Sequence, residues 1–197
     1  MPEATPEVVL VRHGETEWSA SGRHTGRTDV PLTERGEAQA RALGAALAGR
    51  RFVLVLTSPL QRAVDTCRLA GLDGTVAEDA REWDDGDHEG RTTPEIRRDD
   101  PGWTVWRGPL PGGERLDEVA ARADRVVERL RAAGGDVAVF SHGHFLRVLT
   151  ARWLELPAVE GRRFALDTAT LSFLGTEREV SAVTRWNVVP PPLDQPS

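Results

Sequence analysis

Residues 7–15 read EVVLVRHGE, a short run of β-branched and aliphatic side chains that stops at arginine and histidine. Two later stretches repeat the design: FVLVLTSP at 52–59 and DVAVFSHGH at 136–144. A strand with one wet face alternates apolar and polar residues, so continuous apolar runs of this length suit strands covered on both faces. The strands are read as Glu7–Arg12, Phe52–Thr57 and Asp136–Ser141. Helical patterns lie between them. Thr33 caps a helix through Leu47, and Ser58–Pro59 opens a second that ends before Gly71, with proline at its first position. In Glu114–Ala132, the residues Leu116, Val119, Ala120, Ala123, Val126, Val127 and Leu130 fall on one face. Alternating strand and helix predicts an α/β fold, a three-layer α/β/α sandwich with a mostly parallel sheet. Thr168–Leu174 and Val180–Trp186 add two strands, as a hairpin or sheet edge. Residues 82–113, rich in Asp, Gly, Pro and Trp, are read as a short excursion over the ends of the strands, and 188–197, VVPPPLDQPS, as a loose tail. The whole of 1–197 is taken as one domain.

Composition narrows the function. With 39% hydrophobic and 28% charged residues the chain resembles an ordinary globular protein, and a net charge of −6 disfavours nucleic acid as a partner. No apolar run approaches the roughly 20 residues of a membrane span, and the first residues, MPEATPE, are acidic where a secretory leader is basic; a cytoplasmic location is expected. The single cysteine, Cys67, rules out an internal disulfide and is read as a small buried side chain. All 25 basic residues are arginine, so Schiff-base chemistry and a P-loop lysine are both excluded. Any anion must be held by arginine, histidine or backbone.

Polar clusters follow each buried run: Arg12-His13-Gly14-Glu15, Ser58 to Arg62, and Ser141-His142-Gly143-His144. Ligands of open α/β sheets bind beyond the carboxyl ends of the strands, so the three clusters should meet. Two guanidinium forks, Arg12 and Arg62, match phosphoryl oxygens, and Arg62 also lies in the first turn of a helix, where free N–H groups favour an anion. A neutral imidazole, His13 or His142, can attack phosphorus, while Gly14 and Gly143 admit close backbone and a carbonyl that fixes a ring tautomer. A lone RHG tripeptide is more often structural than catalytic. Recurrence of such groups at successive strand ends favours function.

A leaving group needs a proton donor, and residues 81–90, REWDDGDHEG, supply carboxylates beside a bulky indole. Glu82 is the candidate; Asp84, Asp85, Asp87 and Glu89 are the competitors. The same carboxylates suggest magnesium or calcium, but the spacing is not an EF-hand loop, and His142 with His144 makes an H-x-H pair lacking a third zinc ligand. A metal is not expected from these residues. His24 and His88 are read as polar rim residues. Trp18, Trp83, Trp103 and Trp106 are read first as packing and second as surfaces for a leaving group.

The ordered set VVLVRHGETEW, GRHTGRTDVPLTERG, TSPLQRAVDT, EWDDGDHEG, PGGE and VFSHGHFLR, spread over about residues 7 to 186, resembles the phosphoglycerate-mutase-like branch of the histidine phosphatase superfamily. The resemblance implies that His13 is the phosphorylated nucleophile, that Arg12, Arg62 and His142 form the phosphate pocket, that Glu82 is the proton donor, and that no metal and no organic cofactor take part. Ser19, Thr25, Gly26 and Gly143 are read as further substrate contacts; Ser19 stands where many members have asparagine, and Thr25 where many phosphatases have glutamine or the mutases threonine, so the rim does not separate the two. The segment between Glu82 and Gly113 is much shorter than in the cofactor-dependent mutases. The expected activity is therefore metal-independent hydrolysis of small phosphomonoesters, of the acid phosphatase type. The alternatives are a phosphoglycerate mutase, a sedoheptulose-bisphosphatase-like enzyme, and a non-catalytic phospho-ligand binder. The expected partner is a small phosphoester, with neither nucleic acid nor membrane, and a homodimer through the sheet edge is compatible with the pattern.

Overall fold

The computed structural model describes residues 6–192 and is built on one six-stranded sheet. Its strands are β1 (Val8–Arg12), β2 (Leu54–Thr57), β3 (Thr75–Val76), β4 (Val137–Ser141), β5 (Leu171–Glu177) and β6 (Val180–Val188), in the order β3-β2-β4-β1-β5-β6. β4 lies between β1 and β2 and pairs with both in parallel, β2 pairs with β3 in parallel, and β5 and β6 add an antiparallel hairpin at the other side.

The continuous apolar runs are explained by burial on both faces. Val8, Leu10, Val137 and Val139 enter one core with α5 (Leu116–Ala132) and α6 (Gly143–Trp153). Val9, Val11, Ala138 and Phe140 enter the other, against α2 (Glu34–Leu47) and α3 (Gln61–Leu69). The predicted three layers are thus the observed ones. Cys67 lies in the second core, where burial pushes its thiol up to about 12.

Several boundaries differ from the sequence reading. Thr33 does cap α2, its side chain accepting from the Gly36 N–H. The next helix, however, begins at Gln61 rather than at Ser58–Pro59, because the Ser58 hydroxyl accepts from Leu60 N and faces His142, leaving no side-chain cap at Leu60. Phe52 and Val53 stand outside β2, with Val53 exposed on the loop. α5 starts at Leu116, so Glu114 stays free to pair with Arg122. β5 starts at Leu171; Ala169, with φ 53°, turns the chain just before it. The short β3 has no sequence signal beyond its two residues. Val188, assigned to the tail, is the last residue of β6, and positions 193–197 of that tail lie outside the described residues.

The 82–113 segment is more than a surface excursion. It holds a further helix, α4 (Thr93–Asp99), opened by a capping box between Thr92 and Glu95, and it sends Trp83, Ile96 and Trp103 into the first core. Residues 92–95, T-T-P-E, carry a helix-start signature, although the residues that flank them lack a helical period. Trp18 and Trp106 are half-buried. The remaining helix, α1 (Glu17–Ser21), follows β1 closely.

One charged residue holds this segment to the helical layer. Arg122 lies on the buried face of α5, among Val119, Ala123 and Val126. Its guanidinium forks onto Glu114 at 2.7 Å through both Nε and Nη2 and donates to the carbonyls of Asp79, Arg81 and Glu82. Deleting one member of such a pair strands the other without water. Arg122→Ala is therefore expected to lower stability by about 3–5 kcal/mol, and Arg122→Met combined with Glu114→Leu to recover most of that loss. Urea unfolding followed by circular dichroism measures both; a single-variant cost below about 1 kcal/mol would make the pair equivalent to a surface ion pair.

Candidate active site

Strand register decides what meets. Arg12 pairs with Ser141 and Thr57 with Phe140, so the residues that leave β1, β2 and β4 emerge side by side. His13 N donates to Ser141 O at 3.0 Å and Ser58 N to Phe140 O at 2.9 Å, which carries the ladder one step past each strand. The rings of His13 and His142 consequently lie 5.1 Å apart, tilted by 58°.

Their partners fix both tautomers. His13 Nδ1 is 2.7 Å from Gly14 O, an acceptor only, so Nδ1 carries the proton and Nε2 the lone pair. Arg62 Nε donates to His142 Nδ1 at 3.1 Å, so the His142 proton is on Nε2, 2.6 Å from Ser58 Oγ. Burial, with Arg62 and Arg12 nearby, holds His13 well below the ordinary imidazole value, and burial with Arg62 does the same for His142. Both rings are neutral near pH 7.

Arg62 is buried, and burial lowers its pKa. The loop after α1 solvates it: Nη1 donates to Thr28 O at 2.9 Å and Nη2 to Gly26 O at 3.0 Å, with Asp29 at 3.9 Å. Arg12 donates through Nη1 to Leu166 O at 2.5 Å, and its buried Nε has no partner among the described residues. A Cβ at Gly143 would stand 3.3 Å from that guanidinium, so glycine lets Arg12 lie against the start of α6. Gly14 is needed for a different reason, since a Cβ there would come within 2.3 Å of Gly36 O on α2.

Glu82 belongs to neither strand end, yet it reaches the same place. His142 gives α6 no side-chain cap. Instead the Glu82 carboxylate accepts from the N–H groups of His144 at 3.1 Å and Phe145 at 2.8 Å, and from Trp83 N at 2.9 Å. It thus serves as the anion at the positive end of that helix. The Trp83 indole is committed elsewhere, donating to Glu114 O at 2.7 Å.

A cavity of about 190 Å³ opens over these groups, lined by Arg12, His13, Glu82 and Gly143, and by Ser19 and Thr25 on its rim. Arg62, His142 and Gly26 stand behind this lining, Gly26 contributing its carbonyl to Arg62 rather than a face to the cavity. The Ser19 hydroxyl is spent in the capping box of α1, and Thr25 Oγ1 donates to Arg23 O. His24 lines the cavity, as a rim residue should, but His88 does not; it packs against Trp103, with ring centroids 5.1 Å apart. The sequence reading missed Arg23, Thr93, Arg147 and Leu166, and it took His144 only as a partner of His142. The two histidines point apart: His142 turns to Ser58 and Arg62, and His144 to His24. The pattern of apolar residues carries no signal for a cation such as Arg147, which is held by Gly161 O and Arg162 O and covers Trp106.

The family model described as "Histidine phosphatase superfamily (branch 1)" matches residues 8–189. An acid phosphatase of Mycobacterium tuberculosis is 44% identical over 180 residues, covering 88% of each chain. Sedoheptulose 1,7-bisphosphatase of Saccharomyces cerevisiae is 35% identical over 191 residues, covering 79% of this chain and 70% of that one. A solved structure from Mycobacterium tuberculosis superposes with a TM-score of 0.91 at 41% identity, covering 95% of this chain and 100% of the other. With paired histidines and arginines at the strand ends and a family match along almost its whole length, the chain belongs to branch 1 of the histidine phosphatase superfamily and is a phosphatase.

Proposed function

We propose that the chain hydrolyses small phosphomonoesters without a metal, through a phosphohistidine at His13. The observation that carries this reading is the His13 tautomer: Nδ1–H is tied to Gly14 O, so the lone pair of Nε2 is free beside two guanidinium groups. Nε2 attacks phosphorus and forms a P–N bond while the ester O–P bond breaks. Arg12 and Arg62 offset the charge on the transferring group. Glu82 passes a proton to the leaving oxygen. In mild acid the substrate brings that proton, because the second ionisation of a phosphomonoester lies near about 6. Water then attacks phosphorus, forming a P–O bond as the P–N bond to Nε2 breaks; its proton goes to the Glu82 carboxylate, and phosphate leaves with the Nε2 lone pair of His13 restored. His142 holds Arg62 in place through Nδ1 and gives its Nε2–H to Ser58 Oγ.

The cavity volume of about 190 Å³ falls below the roughly 300–1,000 Å³ of common ligand pockets, which favours small metabolites. The short 82–113 segment leaves water access to a phosphoenzyme, which favours hydrolysis over mutase chemistry. A bisphosphate substrate is the second reading, supported by Arg23 and Arg147 on the cavity wall and by the similarity to a sugar bisphosphatase. It predicts that Arg147→Gln raises KM for sugar bisphosphates more than for monophosphates, as a substrate panel ranked by kcat/KM would reveal.

His13→Ala is expected to abolish turnover and acid-quench trapping of a phosphoenzyme, while Arg62→Ala costs at least about 10²-fold in kcat. Activity on p-nitrophenyl phosphate should survive EDTA; loss restored by a divalent ion would overturn the mechanism. The pH dependence has a definite sign. Since His13 is held below 6.5, its neutral form persists as pH drops through that value and is lost only on passing the depressed pKa. The acid limb of kcat/KM should accordingly lie below 6.5, and a limb at or above it would contradict a buried neutral nucleophile. Glu82→Gln should slow sugar-phosphate hydrolysis by about 10² to 10⁴ while sparing p-nitrophenyl phosphate more, because a phenolate leaves with little help from an acid. Equal losses on both substrates would remove the proton-donor role.

A further inference from the structure

Beside the cavity, three potential ligands converge that phosphoryl transfer does not use. Asp85 is fully buried, and neither of its carboxylate oxygens has a hydrogen-bond partner among the described residues. An uncompensated buried carboxylate is costly, so native structures pair it with a donor or a cation. The nearest candidates are imidazoles. His24 gives Nε2 to Thr93 Oγ1 at 3.0 Å, which turns Nδ1 toward Asp85 Oδ1 at 3.7 Å, beyond hydrogen-bond reach. His144 stacks on His24 with ring centroids 6.0 Å apart and planes 10° from parallel, braced edge-on by Trp83 and Trp106. One donor atom from each of His24, Asp85 and His144 lies within 4.8 Å of the others.

We propose that His24, Asp85 and His144 bind a divalent transition-metal ion of the zinc class, with the open coordination position turned toward the cavity. Two imidazole nitrogens and a carboxylate oxygen suit zinc or cobalt, whereas calcium and magnesium want an all-oxygen shell. Bonds of about 2.1 Å in a tetrahedron put ligand atoms roughly 3.4 Å apart, so about an ångström of side-chain movement closes the triad. His24 and His144 line the cavity while Asp85 lies beneath them, so an ion held by all three keeps one side open, as in sites with three protein ligands. Thr93 orients the His24 ring in the way outer-shell groups orient metal-binding imidazoles. Charges around the triad are mixed: Glu82, Glu89 and Asp84 lie near Asp85 and favour a cation, while Arg62 faces Asp85, and Arg147 and Arg12 face His144. The sequence could not assemble this site. It paired His144 with His142, two residues away, and lacked a third ligand, whereas the fold turns His142 to the arginine side and brings in His24 and Asp85 from separate loops.

Binding of the ion is distinct from hydrolysis and is read without turnover. Protein stripped with a chelator and titrated with zinc chloride in a calorimeter should take up one equivalent in the micromolar range. Asp85→Asn and His24→Gln should each weaken that binding by at least about 10²-fold. His24→Gln changes a partly exposed loop residue and so serves if Asp85→Asn fails to fold, which circular dichroism would show. Cobalt bound to the stripped protein should give visible d–d absorption that disappears in both variants. Zinc affinity unchanged by either substitution, or no uptake in the micromolar range, would overturn the proposal.

Discussion

The paired imidazoles of this protein depend on the parallel register of three strands. β4 is flanked by β1 and β2, and all five of its residues are buried. A slip of one residue in either pairing would exchange its two core faces, moving Val137 and Val139 to the side now filled by Ala138 and Phe140. The same slip would separate His13 from His142 and Ser58 from His142. Packing two different cores against one strand therefore fixes the relative heights of the strand ends, and with them the positions of two imidazoles and a guanidinium that a functional argument alone could not place.

Around that frame, buried charge is handled chiefly by main-chain groups. Arg62 is solvated by the carbonyls of the 25–28 loop, Arg12 by Leu166 O, and Arg122 by the carbonyls of Asp79, Arg81 and Glu82 together with Glu114. Glu82 inverts the scheme, its carboxylate taking N–H groups from the first turn of α6. These arrangements couple the site to the fold. Arg122 binds the carbonyl of Glu82 while the Glu82 side chain caps α6, so α5, α6 and the 82–113 segment share one polar junction.

The contrast between His13 and His144 shows what a sequence can convey. His13 follows a long apolar run directly, and its carbonyl partner is the next residue, so both its placement and its tautomer were open to local reasoning. His144 gains its neighbours from a loop some 120 positions earlier in the chain and from Asp85, and no spacing rule links such residues. Arg122 and Arg147 were missed for a related reason: a charged side chain on a buried helix face reads as solvated until the acceptors that meet it are known. Where a local device was misread, as with Ser58–Pro59, the hydroxyl expected to cap α3 had a competing partner in His142.

The three buried strands, the layered α/β architecture and the identity of the groups at the strand ends can be read from the chain in one dimension, because hydrophobic periodicity and strand-end chemistry are properties of contiguous residues. Long-range contacts place each group in the crevice: Arg62 and His142 behind His13, Glu82 on the helix terminus, and His24, Asp85 and His144 gathered together. Those positions follow from strand register and from the hydrogen-bond demands of buried charges. Both are satisfied by partners distant in sequence, and so they are fixed only when the chain closes on itself.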